Sequence, residues 1–390
     1  METTKVRTLI KQIRGVSYKP EDLHNELDDN SVILLRANNI DEGKINFDDV
    51  VYVDKSKVSD EQYLKDGDIL ICASSGSKNL VGKAASIRFN MECTFGAFCK
   101  LVRPKKDLCE YLGIYFQSPI YRRKMSEVAT GANINNIRNE HIDELDIPIF
   151  SNDEQAGIVK KMHLIQAIIS NRKVELEKLD NLIKARFVEM FGTLNSPSQE
   201  FTKATLKELC NKITDGKHGG CKVEKGTERY FIGAREIYDD EVHYDTAPEI
   251  NVDEFEKDYK RCNIEIGDFL IVNTGATIGK SAITTDERTE HTLLQKSVAL
   301  LKVKKELLNP VFLKWCYRVN MQMYIVESAS AQPNLLLSKI NSTVIYVPDI
   351  ELQNQFADFV HQVNKSKVAV QKALDETQLL FDSLMQQYFG

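Results

Sequence analysis

The sequence predicts an α+β protein made by tandem duplication: two α/β globular units separated by two long coiled-coil helices. Three observations carry that prediction. Apolar or long-stemmed residues recur at Ile158, Met162, Ile165, Ile169, Arg172, Leu176, Leu179, Ile183, Arg186 and Met190, in alternating steps of four and three, the spacing of a coiled-coil seam. A second seam of the same spacing, displaced by 198 positions, runs through Phe356, Val360, Val363, Lys367, Val370, Leu374, Thr377, Phe381, Leu384 and Tyr388. Ahead of each seam stands a matching turn and strand, Asp66-Gly67-Asp68-Ile69-Leu70-Ile71 and Ile266-Gly267-Asp268-Phe269-Leu270-Ile271.

The first long helix is expected over Asn152–Phe191, uninterrupted by proline or glycine after Gly157 and closed by Gly192. At 1.5 Å per residue it would be about 58 Å long, too long for the interior of one small domain. Half its surface is charged, so it needs a partner helix, and the second seam supplies one. Both copies end alike, in Met190-Phe191-Gly192 and Tyr388-Phe389-Gly390, and both are entered through a strand-like phrase, Asp146-Ile147-Pro148 and Tyr346-Val347-Pro348.

A chain of 390 residues holds two or three domains with ample cores. A net charge of −6 excludes a broadly basic nucleic-acid binder and confines any DNA-binding surface to a local patch. Eight cysteines with no C-x-x-C pair and no secretory leader in view read as reduced cytosolic thiols. His218-Gly219-Gly220-Cys221 has no second His/Cys pair near it and reads as loop rather than metal ligand, so no metal is expected. No apolar run reaches the roughly 18 residues of a membrane helix, which places the expected protein in the cytoplasm and off the membrane.

In chain order, Val6, Leu9, Ile10 and Ile13 suggest a short helix or strand leading into the turn Arg14-Gly15. The β-branched run Ser31–Arg36 reads as a buried strand that runs into a polar loop at Ala37–Asp41. Ile69–Cys72 is a strand followed by the polar loop Ser74–Asn79 and Val81-Gly82-Lys83. Tyr111–Val128 reads as one helix carrying Tyr121-Arg122-Arg123-Lys124, and Gly131–Asn135 as a polar loop. Asn195-Ser196-Pro197-Ser198 is a linker by composition. The order then repeats: Leu206, Leu209 and Ile213 before Asp215-Gly216, the strand Tyr230–Ile232, a strand ending at Ile271, the loop Asn273–Lys280, a helix over Val311–Val326 and the polar loop Ser330–Asn334.

Gly275-Ala276-Thr277-Ile278-Gly279-Lys280-Ser281 has three residues between its glycines where a phosphate loop needs four, and the first copy, Gly76 to Gly82, has five. A glycine-bearing turn whose lysine approaches a DNA phosphate fits both copies better. Asn309-Pro310-Val311-Phe312 lacks the second proline of an amino-methyltransferase Asn-Pro-Pro-aromatic loop and reads as a helix start. No catalytic set appears at useful spacing. The basic residues cluster locally instead, as Arg122, Arg123 and Lys124, as Lys78 and Lys83, and as Lys217 and His218. With neighbouring Asn, Ser and Thr side chains they make a candidate DNA-binding set: Lys19, Arg36, Asn38, Ser74, Ser77, Lys78, Lys83, Arg122, Arg123, Lys217, His218, Arg235, Thr274, Thr277 and Lys280. Taken singly, each basic residue also reads as a solvated surface charge.

The layout resembles the specificity (S) subunits of type I restriction–modification systems. The resemblance rests on Arg14-Gly15-Val16-Ser17-Tyr18, Gly67-Asp68-Ile69-Leu70, Gly267-Asp268-Phe269-Leu270-Ile271, Thr277-Ile278-Gly279-Lys280, Ala331-Gln332-Pro333-Asn334, and Ile147-Pro148 and Val347-Pro348 heading the helices. At Gly131–Asn135 the first copy departs from the family's Ala-Gln-Pro-Asn wording. The resemblance implies target-recognition domains over residues 1–150 and 193–348, and an antiparallel pair of spacer helices over 151–192 and 349–390, which could pair within one chain or swap between chains. It implies a non-catalytic chain in which each domain reads one half of a bipartite, asymmetric site on double-stranded DNA. Two methyltransferase (M) subunits carrying S-adenosylmethionine would dock on the helices, and a motor-nuclease (R) subunit could join them. Two other readings stay open: a coiled-coil scaffold that binds proteins and not DNA, and a fragment of a fused DNA-modifying enzyme.

Overall fold

In the computed structural model, residues 2–41, 43–77, 80–128, 135–323 and 334–390 are described. Two compact units divide the chain, Met1–Lys173 with Lys372–Gly390, and Val174–Gln371.

The first unit is built on two four-stranded sheets. Strands β1 (Ile10–Arg14), β2 (Ser31–Leu35), β3 (Val51–Asp54), β4 (Ile69–Cys72), β5 (Ala84–Ser86), β6 (Cys93–Phe95) and β7 (Cys99–Pro104) supply most of it. One sheet is antiparallel in the order β5-β4-β7-β1; the other has the order β6-β2-β3 with Leu23–His24 at its edge, and pairs β6 parallel to β2. β2 and β4 are buried at every position, as their continuous apolar runs require. The ambiguous opening segment resolves as a 3-10 turn over Val6–Thr8 followed by β1.

The helix expected over Tyr111–Val128 is instead two, α1 (Cys109–Tyr115) and α2 (Pro119–Val128). Pro119 offers no amide hydrogen and restricts the residue before it, so the first helix stops and a second starts at the proline. Ser74–Ser75, expected as loop, pairs antiparallel with Asn135–Asn136. Thr3–Lys5 pairs with Asp146–Pro148 immediately before the long helix α3 (Asn152–Phe191).

The second unit repeats this frame. β8 (Cys210–Asp215), β9 (Tyr230–Ile232), the helix α4 (Val252–Tyr259), β10 (Phe269–Val272), β11 (Ser281–Ile283), β12 (Thr292–Leu294) and β13 (Val298–Val303) precede the helices α5 (Pro310–Val319) and α6 (Ile350–Phe389). Its sheet order, β11-β10-β13-β8, is that of the first unit, and β9 pairs parallel to β12 as β2 does to β6. The register repeats as well: Leu70 faces Leu101, and Leu270 faces Leu300. α5 starts where the sequence predicts, with Asn309 Oδ1 accepting from Val311 N at 2.8 Å. It ends at Val319, short of the expected Val326, of which residues 324–326 lie outside the described residues.

Each unit holds the start of one long helix against the end of the other, so the pairing is antiparallel within each. In the first unit Ile158 and Met162 share a core with Met385 and Phe389; in the second, Ile183, Phe187 and Phe191 share one with Phe356, Val360 and Val363. Every predicted seam position is buried or half-buried: Ile158, Met162, Ile165, Ile183, Phe356, Val360, Val363 and Val370 fully, and Ile169, Leu176, Leu179, Leu374, Phe381 and Leu384 partly. Towards each C-terminus, however, Phe187, Phe191, Met385 and Phe389 are buried more deeply than the seam residues beside them. An α-helix drifts about 20° per heptad from a 3.5-residue repeat, so over several turns a strict four-three seam rotates off the contact face. The helix Asn152–Phe191 closes on Gly192, whose φ of 74° is left-handed and whose amide donates to Val188 O at 2.8 Å.

Candidate nucleic-acid interface

In each unit the sheet strands end at one edge, and the backbone there is pinned in the same way twice. After β4, Ala73 N and Ser74 N both donate to Phe98 O, at 2.9 and 3.0 Å, and Ile137 N donates to Ala73 O at 2.8 Å. After β10, Asn273 N donates to Ser297 O at 3.0 Å and Leu335 N to Asn273 O at 2.7 Å. The carbonyls at the centre of both networks belong to the turns that enter β7 and β13, Gly96-Ala97-Phe98 and Gln295-Lys296-Ser297. The start of each turn, with the strand that enters it in the second unit, presses on the glycine that follows β1 or β8. A Cβ on Gly15 would sit 2.1 Å from Gly96 O, and one on Gly216 would sit 2.1 Å from Leu294 O, so only glycine fits either place.

On this shared backbone the side chains differ. Val16, Ser74, Ala97 and Phe98 in the first unit stand where the second has Lys217, Thr274, Lys296 and Ser297. In the second unit a cavity of about 400 Å³ brings Lys217 and Thr274 together with Gln295, Lys296, Ser297 and Asn334. Thr274 Oγ1 donates to Asn334 Oδ1 at 3.2 Å.

The charge at this edge is uneven. Lys217 Nζ lies 2.7 Å from Asp258 and 3.5 Å from Glu254, both on α4. The Asp258 carboxylate holds the ammonium above the ordinary lysine range. His218 Nε2 lies 3.1 Å from Asp215 Oδ2, and Arg261 binds the same carboxylate. Arg235, Lys280 and Lys296 are exposed and make no ion pair among the described residues. Thr277 O accepts from Lys280 N at 3.2 Å inside a tight return from β10 to β11, where Val272 N donates to Lys280 O at 2.8 Å and Gly279 N to Val272 O at 3.0 Å. A phosphate loop opens a helix after its strand; this loop leads into an antiparallel strand instead.

In the first unit the predicted residues fall into separate groups. Lys83 and Arg122 meet across Gly82, where Arg122 Nη1 donates to Val81 O at 2.7 Å and Lys83 stands 3.8 Å from Asp41. Both line a cleft of about 790 Å³ beside α3 that Arg88 and His163 also border, each paired with Glu110. The repeat-related cleft of the second unit, about 530 Å³, is lined by Lys280, Asp240 and Arg318. There Asp240 is held by Arg318 at 2.7 Å and by Lys314 at 3.3 Å, and burial pushes the Lys314 ammonium below the ordinary lysine range.

Arg36 and Asn38 converge on one carboxylate, Asp49 Oδ2, at 2.9 and 2.8 Å. Ser77 N donates to Ser75 Oγ at 3.2 Å. Lys19 makes its ion pair with Glu21, at 3.8 Å, and Arg123 is exposed with no ion pair among the described residues. Lys78 lies outside the described residues.

Sequence reasoning missed Gln295, Lys296, Ser297 and Phe98. Their signal was positional: both turns stand directly before matching apolar runs, Cys99–Val102 and Val298–Leu301, and aligning the duplicated halves would have singled them out. Among the described residues no group of three or more His, Cys, Asp or Glu side chains is placed to hold a metal, and no helix is long and apolar enough to cross a membrane.

Comparison with known proteins converges on one family. The family described as the type I restriction modification DNA specificity domain matches twice, over residues 18–179 and 198–377. The specificity subunit of the type I restriction enzyme StySPI from Salmonella potsdam is 42% identical over 183 residues, which span 47% of this chain and 40% of that relative. The EcoKI specificity subunit of Escherichia coli K12 is 27% identical over 98% of this chain and 86% of its own length. Among solved structures, the type I restriction–modification S subunit of M. genitalium superposes with a TM-score of 0.54 at 16% identity, covering 100% of this chain and 96% of that one. With the domain present twice over most of its length, the chain belongs to the type I restriction–modification DNA specificity family: it is a specificity subunit, the component that contributes sequence specificity and not catalysis.

Proposed function

We propose that each globular unit reads one half of a bipartite, asymmetric sequence on double-stranded DNA, through the edge on which Ser74 and Phe98 stand in one unit and Thr274, Lys296 and Ser297 in the other. The observation that carries this reading is the repeated backbone frame with unlike side chains at matching places. One pinned scaffold presenting different groups is what two readers of different half-sites need, since base edges are distinguished by donors, acceptors and methyl groups. Each good bidentate base contact discriminates by about 1–3 kcal/mol, and linking two readers makes the second encounter intramolecular. The unpaired cations Arg235, Lys280 and Lys296 would meet phosphates, which position the protein without reading sequence.

The long helices set the spacer between half-sites and dock two methyltransferase subunits. Those subunits bring S-adenosylmethionine, and a motor-nuclease subunit can join the assembly. Mapping methyladenine in cells that carry this chain and its methyltransferase, and in cells from which the chain is deleted, tests the reading. A split motif that vanishes on deletion is the expected result. Unchanged methylation by an expressed, active methyltransferase would favour the scaffold alternative. The ruler has its own test. One added helical turn lengthens a rod by about 5.4 Å against about 3.4 Å per base pair, so the spacer must change.

A further inference from the structure

We infer that Phe98 is an apolar base-reading contact of the first unit, seated against the 5-methyl group of a thymine in that unit's half-site. The inference rests on the reading above and narrows it to one side chain and one chemical group.

Phe98 is 70% exposed, and no other aromatic side chain among the described residues is exposed. Single exposed apolar residues are ordinary, so exposure alone decides nothing. Its backbone does more. Phe98 O accepts from two amides, Ala73 N and Ser74 N, while Cys99 N donates to Gly96 O at 2.9 Å and Gly96 N to Leu35 O at 2.9 Å. The turn is therefore held between two sheets, which fixes where the Phe98 Cα–Cβ bond leaves the backbone.

Folding does not require an aromatic ring at this place either. The second unit builds the same turn with Ser297, whose hydroxyl accepts from Ala234 N at 3.3 Å. The phenyl ring is thus exposed on a fixed stretch of backbone, on the edge that carries Ser74 and Asn136. Ser74, Ser75, Ala97 and Asn136 beside it are all small or polar. A protein-docking patch would surround the ring with further large apolar groups. A lone apolar contact among small polar groups suits a base edge. The thymine methyl is the apolar group that distinguishes one base pair from the others in the major groove, and phenylalanine contacts it well.

The test uses the chain assembled with its methyltransferase subunits and duplexes bearing the mapped methylation motif. Each thymine of both half-sites is replaced in turn by deoxyuridine, which removes only the methyl group. At one thymine, in one half-site, the wild-type complex should methylate the deoxyuridine duplex about fourfold more slowly, the worth of one buried methyl-sized group. The F98A complex should be slower on the thymine duplex and indifferent to the replacement, and F98L should keep part of the sensitivity. Thymines of the other half-site should respond alike in wild type and F98A.

Equal sensitivity of F98A and wild type at every thymine would overturn the inference. So would a wild-type complex that methylates thymine and deoxyuridine duplexes equally at every position while F98A is slower on both, the signature of a ring wedged between base pairs. A wild-type complex with no chain-dependent motif is a different failure: it defeats the proposed function, and this inference with it.

Discussion

The two units share one frame and close it differently. In the first, buried Asp68 is gripped by Arg103 through two parallel bonds, Nε to Oδ1 at 2.8 Å and Nη2 to Oδ2 at 2.7 Å. In the second, Asp268 receives one bond from Lys302 at 2.7 Å, and burial raises its carboxyl above the ordinary aspartate range. Both aspartates also tie their own turn, accepting from Lys65 N and Glu265 N at 2.9 and 2.8 Å. The aromatic packing differs in the same way. Phe389 meets Tyr111 and Tyr115 in the first unit at ring distances of 5.3 and 5.6 Å. In the second, Phe187 and Phe191 are both packed against Phe312 and Phe356. Buried positions that hold the frame together thus keep one kind of chemistry across the repeat: an acid with a cation at Asp68 and Asp268, and large apolar groups at the helix ends, where Met385 answers Phe187. The edge positions show no such restraint, Ala97 answering Lys296 and Phe98 answering Ser297.

Four measurements test how far the two units correspond. The largest effect is expected at the helix ends. Phe187→Ala should cost about 4 kcal/mol and Met385→Ala, its repeat counterpart, about 3 kcal/mol in urea unfolding, because both are fully buried and leave a cavity. A Met385→Ala loss near zero would mean that the first unit does not depend on this helix end as the second does. Next come the buried acids: Asp68→Ala should cost about 3 kcal/mol and Asp268→Ala about 2 kcal/mol, since the arginine loses two bonds and the lysine one. Equal losses would show that the bidentate geometry adds nothing.

The edge should respond in binding more than in stability. Lys280→Ala and Lys296→Ala should each reduce the salt dependence of binding to double-stranded DNA by about 0.9 in the log–log slope, and Lys217→Ala should leave it unchanged. A reduced slope for Lys217→Ala would show that Asp258 and Glu254 release it to DNA. The smallest effect is expected at the Asp49 cluster. Arg36→Ala should cost about 0.5 kcal/mol of stability, because the pair is solvent-exposed, with the Asp49 side chain 73% accessible. A specific loss at one base position in the methylation motif of Arg36→Ala would move this residue from scaffold to reader.

Much of the frame was legible because it is written twice. The strands from Ser31, Ile69, Tyr230 and Phe269, the Asn309 helix start and the Gly192 helix end all follow from local chemistry that acts within a few residues. The continuous helix over Tyr111–Val128 misread Pro119 as compatible with an apolar pattern that in fact belongs to two helices meeting one core. The seam was legible in its spacing and drifted only where several turns of helix accumulate a rotation that no local window contains.

Periodicity and order survive in one dimension, so the duplication, the two helix seams and the family were legible in the chain, whereas the direction of the helix pairing, and whether it is made within one chain, were not. The folded chain supplies that pairing, the start of each long helix packing on the end of the other within each unit, and it also sets which polar residues are free. Arg36 with Asn38, and Lys217 with His218, looked like open contacts in the chain, yet each is held by a carboxylate brought from elsewhere or turned back upon it: Asp49, Asp258, Asp215. Arg235, Lys280 and Lys296 read no differently as letters, and no carboxylate is folded onto them among the described residues. Charge is a property of a residue, but availability is a property of its surroundings, and those are assembled from strands and turns far apart in the chain.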